Sequence, residues 1–201
     1  MMAFWAMTAT LVMTSCGKDD EDNNAVGGDT PELSDNWVDL GLPSGLLWAT
    51  CNLGANAPEE YGDYYAWGEI AAKEVYDWST YTNVNGDAAT AILGDEARTP
   101  TKEDWEELMA NTTAEWMTLN GVGGRMFTAD NGNSIFLPAA GLRYGTQHYS
   151  EGVGGTYWTS SPSNDMGPDY AWRFDFTENN QRVYYSERSY GQTVRPVRSA
   201  Q

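Results

Sequence analysis

One histidine and two cysteines limit the nucleophilic chemistry open to this chain of 201 residues. A Ser-His-Asp or Cys-His site would have to be built around His148, which lies in a stretch rich in Gly, Tyr and Ser and reads as a surface polar residue. Cys51, between Thr50 and Asn52 in a segment with strand character, reads as a small buried hydrophobe rather than a nucleophile. A metal site built on several histidines is excluded. Carboxylate pairs for glycoside hydrolysis are defined by their separation in space, and with 29 acidic residues sequence spacing alone identifies none. Gly121-Val122-Gly123-Gly124 leads towards a strand and not a helix, so it is no phosphate loop.

Binding chemistry is better supplied. Three stretches of low hydrophobic periodicity, Glu74 to Gly94, Arg143 to Gly155 and Ser161 to Asp169, combine flat aromatic rings with carboxylates and amides. The candidate ligand-binding residues there are Trp78, Tyr81, Tyr144, His148, Tyr149, Asn164, Asp165 and Asp169, with Tyr76 beside them. Rings can cover the apolar face of a sugar while acids and amides take its hydroxyls. Asn164, Asp165 and Asp169 are also the residue types that ligate Ca²⁺, although a solvated acidic loop is the stronger reading of them.

Charge narrows the partners. Against 29 acids stand 11 Lys plus Arg, a net charge of −18, which disfavours nucleic acids and anionic membrane surfaces. Nine Trp, 12 Tyr and 21 Gly suit a turn-rich β domain.

The elements that must position these loops can be read in order. Thr101 is placed to cap a helix over about 102–110: its hydroxyl can accept from the Asp104 N–H, and Glu103 and Asp104 lie at the positive end of the helix dipole. Trp105, Leu108 and Met109 make one apolar stripe, Asn111 is a stop, and Pro100 holds Thr99 extended. Trp105 is expected in the core and Trp158 largely buried, so neither would be a ligand platform. Strands are expected over Trp37 to Leu42, Leu46 to Leu53, Glu115 to Leu119, Gly124 to Ala129, Ser134 to Leu137, Tyr170 to Phe176, Arg182 to Ser186 and Gln192 to Arg198. Asn131-Gly132 marks a hairpin turn, and a short second helix is expected near Asp87 to Ile92.

Three segments carry a family resemblance: Val38 to Ala55 (VDLGLPSGLLWATCNLGA), Pro58 to Glu69 (PEEYGDYYAWGE), and Arg98-Thr99-Pro100-Thr101-Lys102-Glu103-Asp104-Trp105-Glu106. Together with the ending Val194-Arg195-Pro196-Val197-Arg198 they resemble FISUMP domains and, more distantly, formylglycine-generating-enzyme-like domains; Asp104 stands where the family usually has Glu. The resemblance implies an α+β, C-type-lectin-like fold, β-rich with one main helix, a second short helix and long loops, over 35–201. It implies no oxidase activity, because the reactive cysteines of formylglycine-generating enzymes lie in their C-terminal part and no cysteine follows Cys51. The Glu-Pro-Asn, Gln-Pro-Asp and Trp-Asn-Asp motifs with which C-type lectins hold Ca²⁺ are absent, so no cofactor is expected and Ca²⁺ is not indicated.

Residues 1–15, apolar or small and ending before Cys16, resemble a bacterial lipoprotein signal peptide. No Lys or Arg precedes the apolar run, which suggests that the chain starts inside the true signal. Acylation of Cys16 would leave Cys51 without an intramolecular disulfide partner. The acidic, Gly- and Asn-rich residues 16–34 read as a tether, and Lys18-Asp19-Asp20-Glu21-Asp22 resembles the surface-export signal of Bacteroidota lipoproteins. The expected protein is therefore a non-catalytic lipoprotein of the bacterial outer membrane, exposed at the cell surface and binding a glycan or surface protein. The alternatives are a structural or tip subunit of a surface assembly such as a pilus and, after that, a glycan hydrolase.

Overall fold

The computed structural model describes residues 36–200. The expected signal peptide, the lipidated Cys16 and the acidic tether fall outside the described residues. Strand accounts for 42% and helix for 10% of the structure, in four small sheets and two helices. This corrects the α+β, C-type-lectin-like expectation with a single main helix: the protein is mostly β. The misreading has a physical cause. The helix motif is the strongest local signal in the chain, yet it builds only nine residues, while short strands joined by glycine turns build most of the rest.

The first sheet has the order β1 (Trp37–Asp39), β2 (Leu46–Ala49), β12 (Val197–Ser199) and β3 (Ala97–Arg98), so strands from both ends of the described chain lie side by side. The second is the meander β4 (Thr112–Leu119), β5 (Val122–Ala129) and β6 (Ser134–Pro138). The third orders β11 (Gln181–Glu187), β10 (Tyr170–Thr177) and β9 (Gly154–Pro162), and β7 (Leu142–Tyr144) with β8 (Gln147–Tyr149) forms a hairpin. That hairpin occupies part of the expected loop Arg143 to Gly155, and helix α1 (Ala88–Leu93) part of Glu74 to Gly94. The last strand is shorter than expected, because residues 192–194 make isolated bridges to Tyr65 and hydrogen bonds to Leu53 and Thr156 instead of a continuous ladder.

Helix α2 (Lys102–Ala110) is capped as its sequence requires. Thr101 Oγ1 accepts from Asp104 N at 3.2 Å and Asp104 Oδ2 accepts from Thr101 N at 2.7 Å, while Arg98 Nη1 holds the same carboxylate at 2.6 Å. Glu107, one helical turn further on, accepts from Ser44 N and Ser44 Oγ, tying the helix to the β1–β2 turn. Trp105, fully buried, stacks on Phe174 at 4.5 Å and meets Trp48 edge-on at 4.9 Å. Such ring pairs contribute about 0.5–1.5 kcal/mol each beyond the area they bury.

Both faces of the third sheet are covered. Tyr157, Phe174 and Phe176 join Trp105 in the main core, while Trp158 and Ala171, on the other face, pack with Tyr65, Leu53 and Val194. Trp105 and Trp158 are thus core residues, as the sequence indicates. Cys51 is buried as expected, but it is disulfide-bonded and so does not stand as a lone thiol. The chain has one other cysteine, Cys16, outside the described residues.

A buried guanidinium locks the base of the fold. Arg195 is fully enclosed and donates from Nε to Asn52 Oδ1 at 2.9 Å, from Nη1 to the Ala49 and Thr50 carbonyls at 3.0 and 2.6 Å, and from Nη2 to the Phe136 carbonyl at 2.8 Å. Burial lowers its pKa to about 10, which leaves it charged at neutral pH. The planar fork of arginine is what allows one side chain to satisfy four acceptors on two segments.

Candidate functional site

Backbone pairing brings three distant segments to one surface. Tyr76 and Gly145 exchange hydrogen bonds of 2.9 and 2.8 Å, and Arg143 and Gly191 exchange bonds of 2.7 and 2.9 Å. These pairings seat the β7–β8 hairpin between the 76–81 loop and the turn that follows β11. Gly191 is required there, because an added Cβ would lie 2.7 Å from the Tyr76 ring. The arrangement sets the Tyr144 and Tyr190 rings 4.9 Å apart.

Glu187 is the centre of this surface. Its Oε2 accepts from Trp78 Nε1 at 2.9 Å, its cross-strand partner is Tyr170, and its carbonyl accepts from Tyr190 N at 3.2 Å. Burial and the Glu187 charge raise the pKa of Tyr190, with Tyr144 and Tyr170 adding to the effect. The Trp78 ring stands edge-on to Tyr81 at 5.2 Å. Trp78 and Tyr144 are 44% and 46% exposed, high values for such large rings.

Beyond Tyr81 the surface leads to a cleft. The Tyr81 hydroxyl donates to the Trp67 carbonyl at 2.9 Å, and the Arg188 guanidinium lies 4.1 Å over the Trp67 ring. Arg188 is fixed by its own N–H to the Asp169 carbonyl at 2.9 Å and by Nε to the Tyr170 carbonyl at 3.0 Å. Trp67 then forms one wall of a cleft of about 230 Å³, lined also by Trp158, Thr159, Thr99, Glu69 and Asp87. Asp87 accepts from Thr90 N and Thr99 N, and Glu69 from Lys73 and Thr82 N, so both carboxylates are oriented by the scaffold.

Of the residues singled out in the sequence, Trp78 donates to Glu187 and Tyr81 meets the Trp78 ring, Tyr144 meets Tyr190, and Asp169 accepts from the Arg188 backbone N–H. His148 and Tyr149 lie on the exposed strand β8: His148, paired with Arg143, packs on Tyr64 at 5.5 Å and pairs with Glu151 at 3.1 Å, while Tyr149, paired with Leu142, is exposed on the same face of the hairpin as Tyr144. Asn164 and Asp165 are exposed in the 163–169 loop. Among the described residues no cluster of three or more His, Cys, Asp or Glu is arranged to hold a metal. Sequence reading missed Glu187, Arg188, Tyr190, Tyr170 and Trp67. The available signal was the aromatic and charged run 187–190 in the turn between two expected strands, a place where binding residues concentrate.

A family model described as a domain of unknown function (DUF8237) matches residues 112–197. The match spans Tyr144, Asp169, Tyr170, Glu187 and Tyr190, and leaves out helix α2 and the Trp67, Trp78 and Tyr81 segment. No curated protein and no solved structure matches the chain.

Proposed function

We propose that this protein is a non-catalytic, lipid-anchored cell-surface protein whose β domain presents a glycan-binding surface centred on Glu187. One observation carries the reading: exposed Trp78 donates to the Glu187 carboxylate and stands edge-on to Tyr81, with Tyr170 opposite Glu187 across the strand pair and the Tyr144–Tyr190 ring pair three residues further along the chain. A sugar needs that pairing of apolar ring faces with a fixed hydroxyl acceptor. The resemblance to FISUMP domains and to lipoprotein leaders supports the cell-surface setting. The net charge of −18 argues against a nucleic-acid partner.

A glycan array probed with the purified protein tests the ligand class. Binding to neutral glycans supports the reading, whereas a silent array together with capture of a surface protein through the same residues replaces glycan by protein as the ligand. The anchor is tested by fractionation and intact mass. A sulfur in a thioether to lipid cannot also be in a disulfide, and Cys51 is disulfide-bonded. A diacylglyceryl mass on Cys16, with release of Cys16→Ala from the membrane, supports the anchor. An unmodified Cys16 in a disulfide with Cys51 overturns it.

A further inference from the structure

The cleft at Trp67 rests on packed apolar residues: Tyr65, Trp158 and Val194 line it and are buried in one core cluster. Both indole N–H groups are spent on the scaffold, Trp67 Nε1 on the Thr159 carbonyl at 2.8 Å and Trp158 Nε1 on the Tyr65 carbonyl at 2.7 Å. What these two rings offer a ligand is therefore apolar surface. The Gly86 N–H donates to the Gly68 carbonyl at 2.9 Å, which holds two further lining segments together.

Three polar groups on the lining keep hydrogen-bonding capacity. Asp87 Oδ2 accepts from Thr99 N at 3.0 Å, and among the described residues no Lys or Arg pairs with this carboxylate. Thr99 is only 5% exposed, yet its hydroxyl makes no hydrogen bond among the described residues. The Ser160 hydroxyl has a contact of 3.5 Å with the Pro100 carbonyl and nothing shorter. A buried hydroxyl without a partner is costly, and a ligand hydroxyl would relieve that cost. Glu69, by contrast, is already paired with Lys73 at 2.8 Å. The unpaired Asp87 charge opposes a sugar acid.

Size and position complete the case. At about 230 Å³ the cleft is smaller than the roughly 300–1,000 Å³ of pockets that take drug-sized ligands, so it has room for a single sugar ring. Trp67 joins it to the Glu187 surface: its carbonyl accepts from Tyr81, whose ring meets Trp78, and its ring is covered by Arg188, the residue after Glu187.

We infer that this cleft takes one neutral sugar ring, the terminal unit of a glycan whose following units lie on the Glu187 surface. This inference rests on the glycan-binding reading and extends it to the part of the chain that is recognised. Trp67 supplies the apolar contact, and Asp87, Thr99 and Ser160 bond the hydroxyls. With a packed floor and room for one ring, the chain ends there.

Titration calorimetry of the full chain tests it, using a glycan identified by the array, free and with hydroxyls of its non-reducing terminal ring blocked by a benzylidene acetal. Array glycans are tethered through the reducing end, so the non-reducing ring is the one free to enter. Blocking should weaken binding by about tenfold or more. Trp67→Ala and Asp87→Asn should bring the free glycan to the level of the blocked one and leave the blocked one unchanged. Asn caps a helix about as well as Asp, so Asp87→Asn keeps the start of α1, and melting temperatures check that both variants are folded. Equal binding of free and blocked glycan, or undiminished binding of the free glycan by both variants, overturns the inference while leaving the glycan reading intact. A silent array overturns the glycan reading itself, and the inference with it.

Discussion

Trp78 donates its indole N–H to the Glu187 carboxylate at 2.9 Å across 109 residues of sequence. That bond aims an exposed ring and a carboxylate at the same patch of solvent, and both are then available to one ligand. Glu187→Gln keeps the shape and removes the charge. Because the pair is exposed, the stability lost should be less than about 1 kcal/mol, while glycan binding should weaken through a poorer hydroxyl acceptor. Denaturant titration and calorimetry separate the two effects.

Arg195 makes the opposite case, a buried charge whose loss is structural. Arg195→Lys retains the charge but cannot reach Asn52, Ala49, Thr50 and Phe136 together. The cost should be about 3–5 kcal/mol, the range for breaking a buried charged network. Urea unfolding measures it, and a loss under about 1 kcal/mol would show that the carbonyls find other donors.

The cap of helix α2 should behave as one unit. Thr101→Ala should cost about 1 kcal/mol, and Asp104→Ala more, because Asp104 also holds Arg98 and the Thr101 N–H. The double variant should cost less than the two singles added, since both act on the same turn. Thermal melts of the three proteins provide the comparison.

This helix and the β5–β6 turn were legible in the sequence because their determinants are local. The capping box spans four residues, and Asn131-Gly132 gives its turn directly, with Gly132 at φ 86°. The sheet that joins β12 to β2 was not legible, since Val197 pairs with Trp48 from the far end of the domain. Neither was the burial of Arg195, because arginine is ordinarily a surface residue and only the folded carbonyls reveal its partners. The candidate site shows the same division. Trp78, Tyr81 and Tyr144 stood out as aromatics in loops, but Glu187, which Trp78 bonds, lies 109 residues from it. His148 shared the loop composition but packs on Tyr64 and pairs with Glu151. The α+β expectation failed for a related reason: a strong local helix signal says nothing about how many short strands assemble around it.

Stability should fall at alkaline pH. Burial raises the phenol pKa values of Tyr64, Tyr65 and Tyr76, and pushes Tyr157 up to about 12. Folded pKa values above the unfolded one mean that the native state keeps protons the unfolded chain releases near pH 10. The stabilisation is therefore complete below about pH 10 and is lost as the pH rises past it. Arg195, lowered to about 10 by burial, and Arg125 and Arg173, also lowered by burial, act in the opposite direction and offset part of that loss. Melting temperature against pH, with phenolate absorbance recorded alongside, should show a steady fall above pH 10 and late-titrating tyrosines. A flat profile would contradict the burial of these phenols.

The account stands or falls on where a glycan binds. A neutral oligosaccharide identified by array should be titrated against Trp78→Ala, Tyr144→Ala and Tyr190→Ala, and against His148→Ala, on the opposite face of the β7–β8 hairpin from Tyr144, and Asp165→Asn as variants outside the Glu187 cluster. The account predicts that the first three each weaken binding by about tenfold or more, with melting temperatures near that of the parent protein, and that the last two bind normally. Normal binding by the first three variants, with loss in His148→Ala or Asp165→Asn, would contradict it.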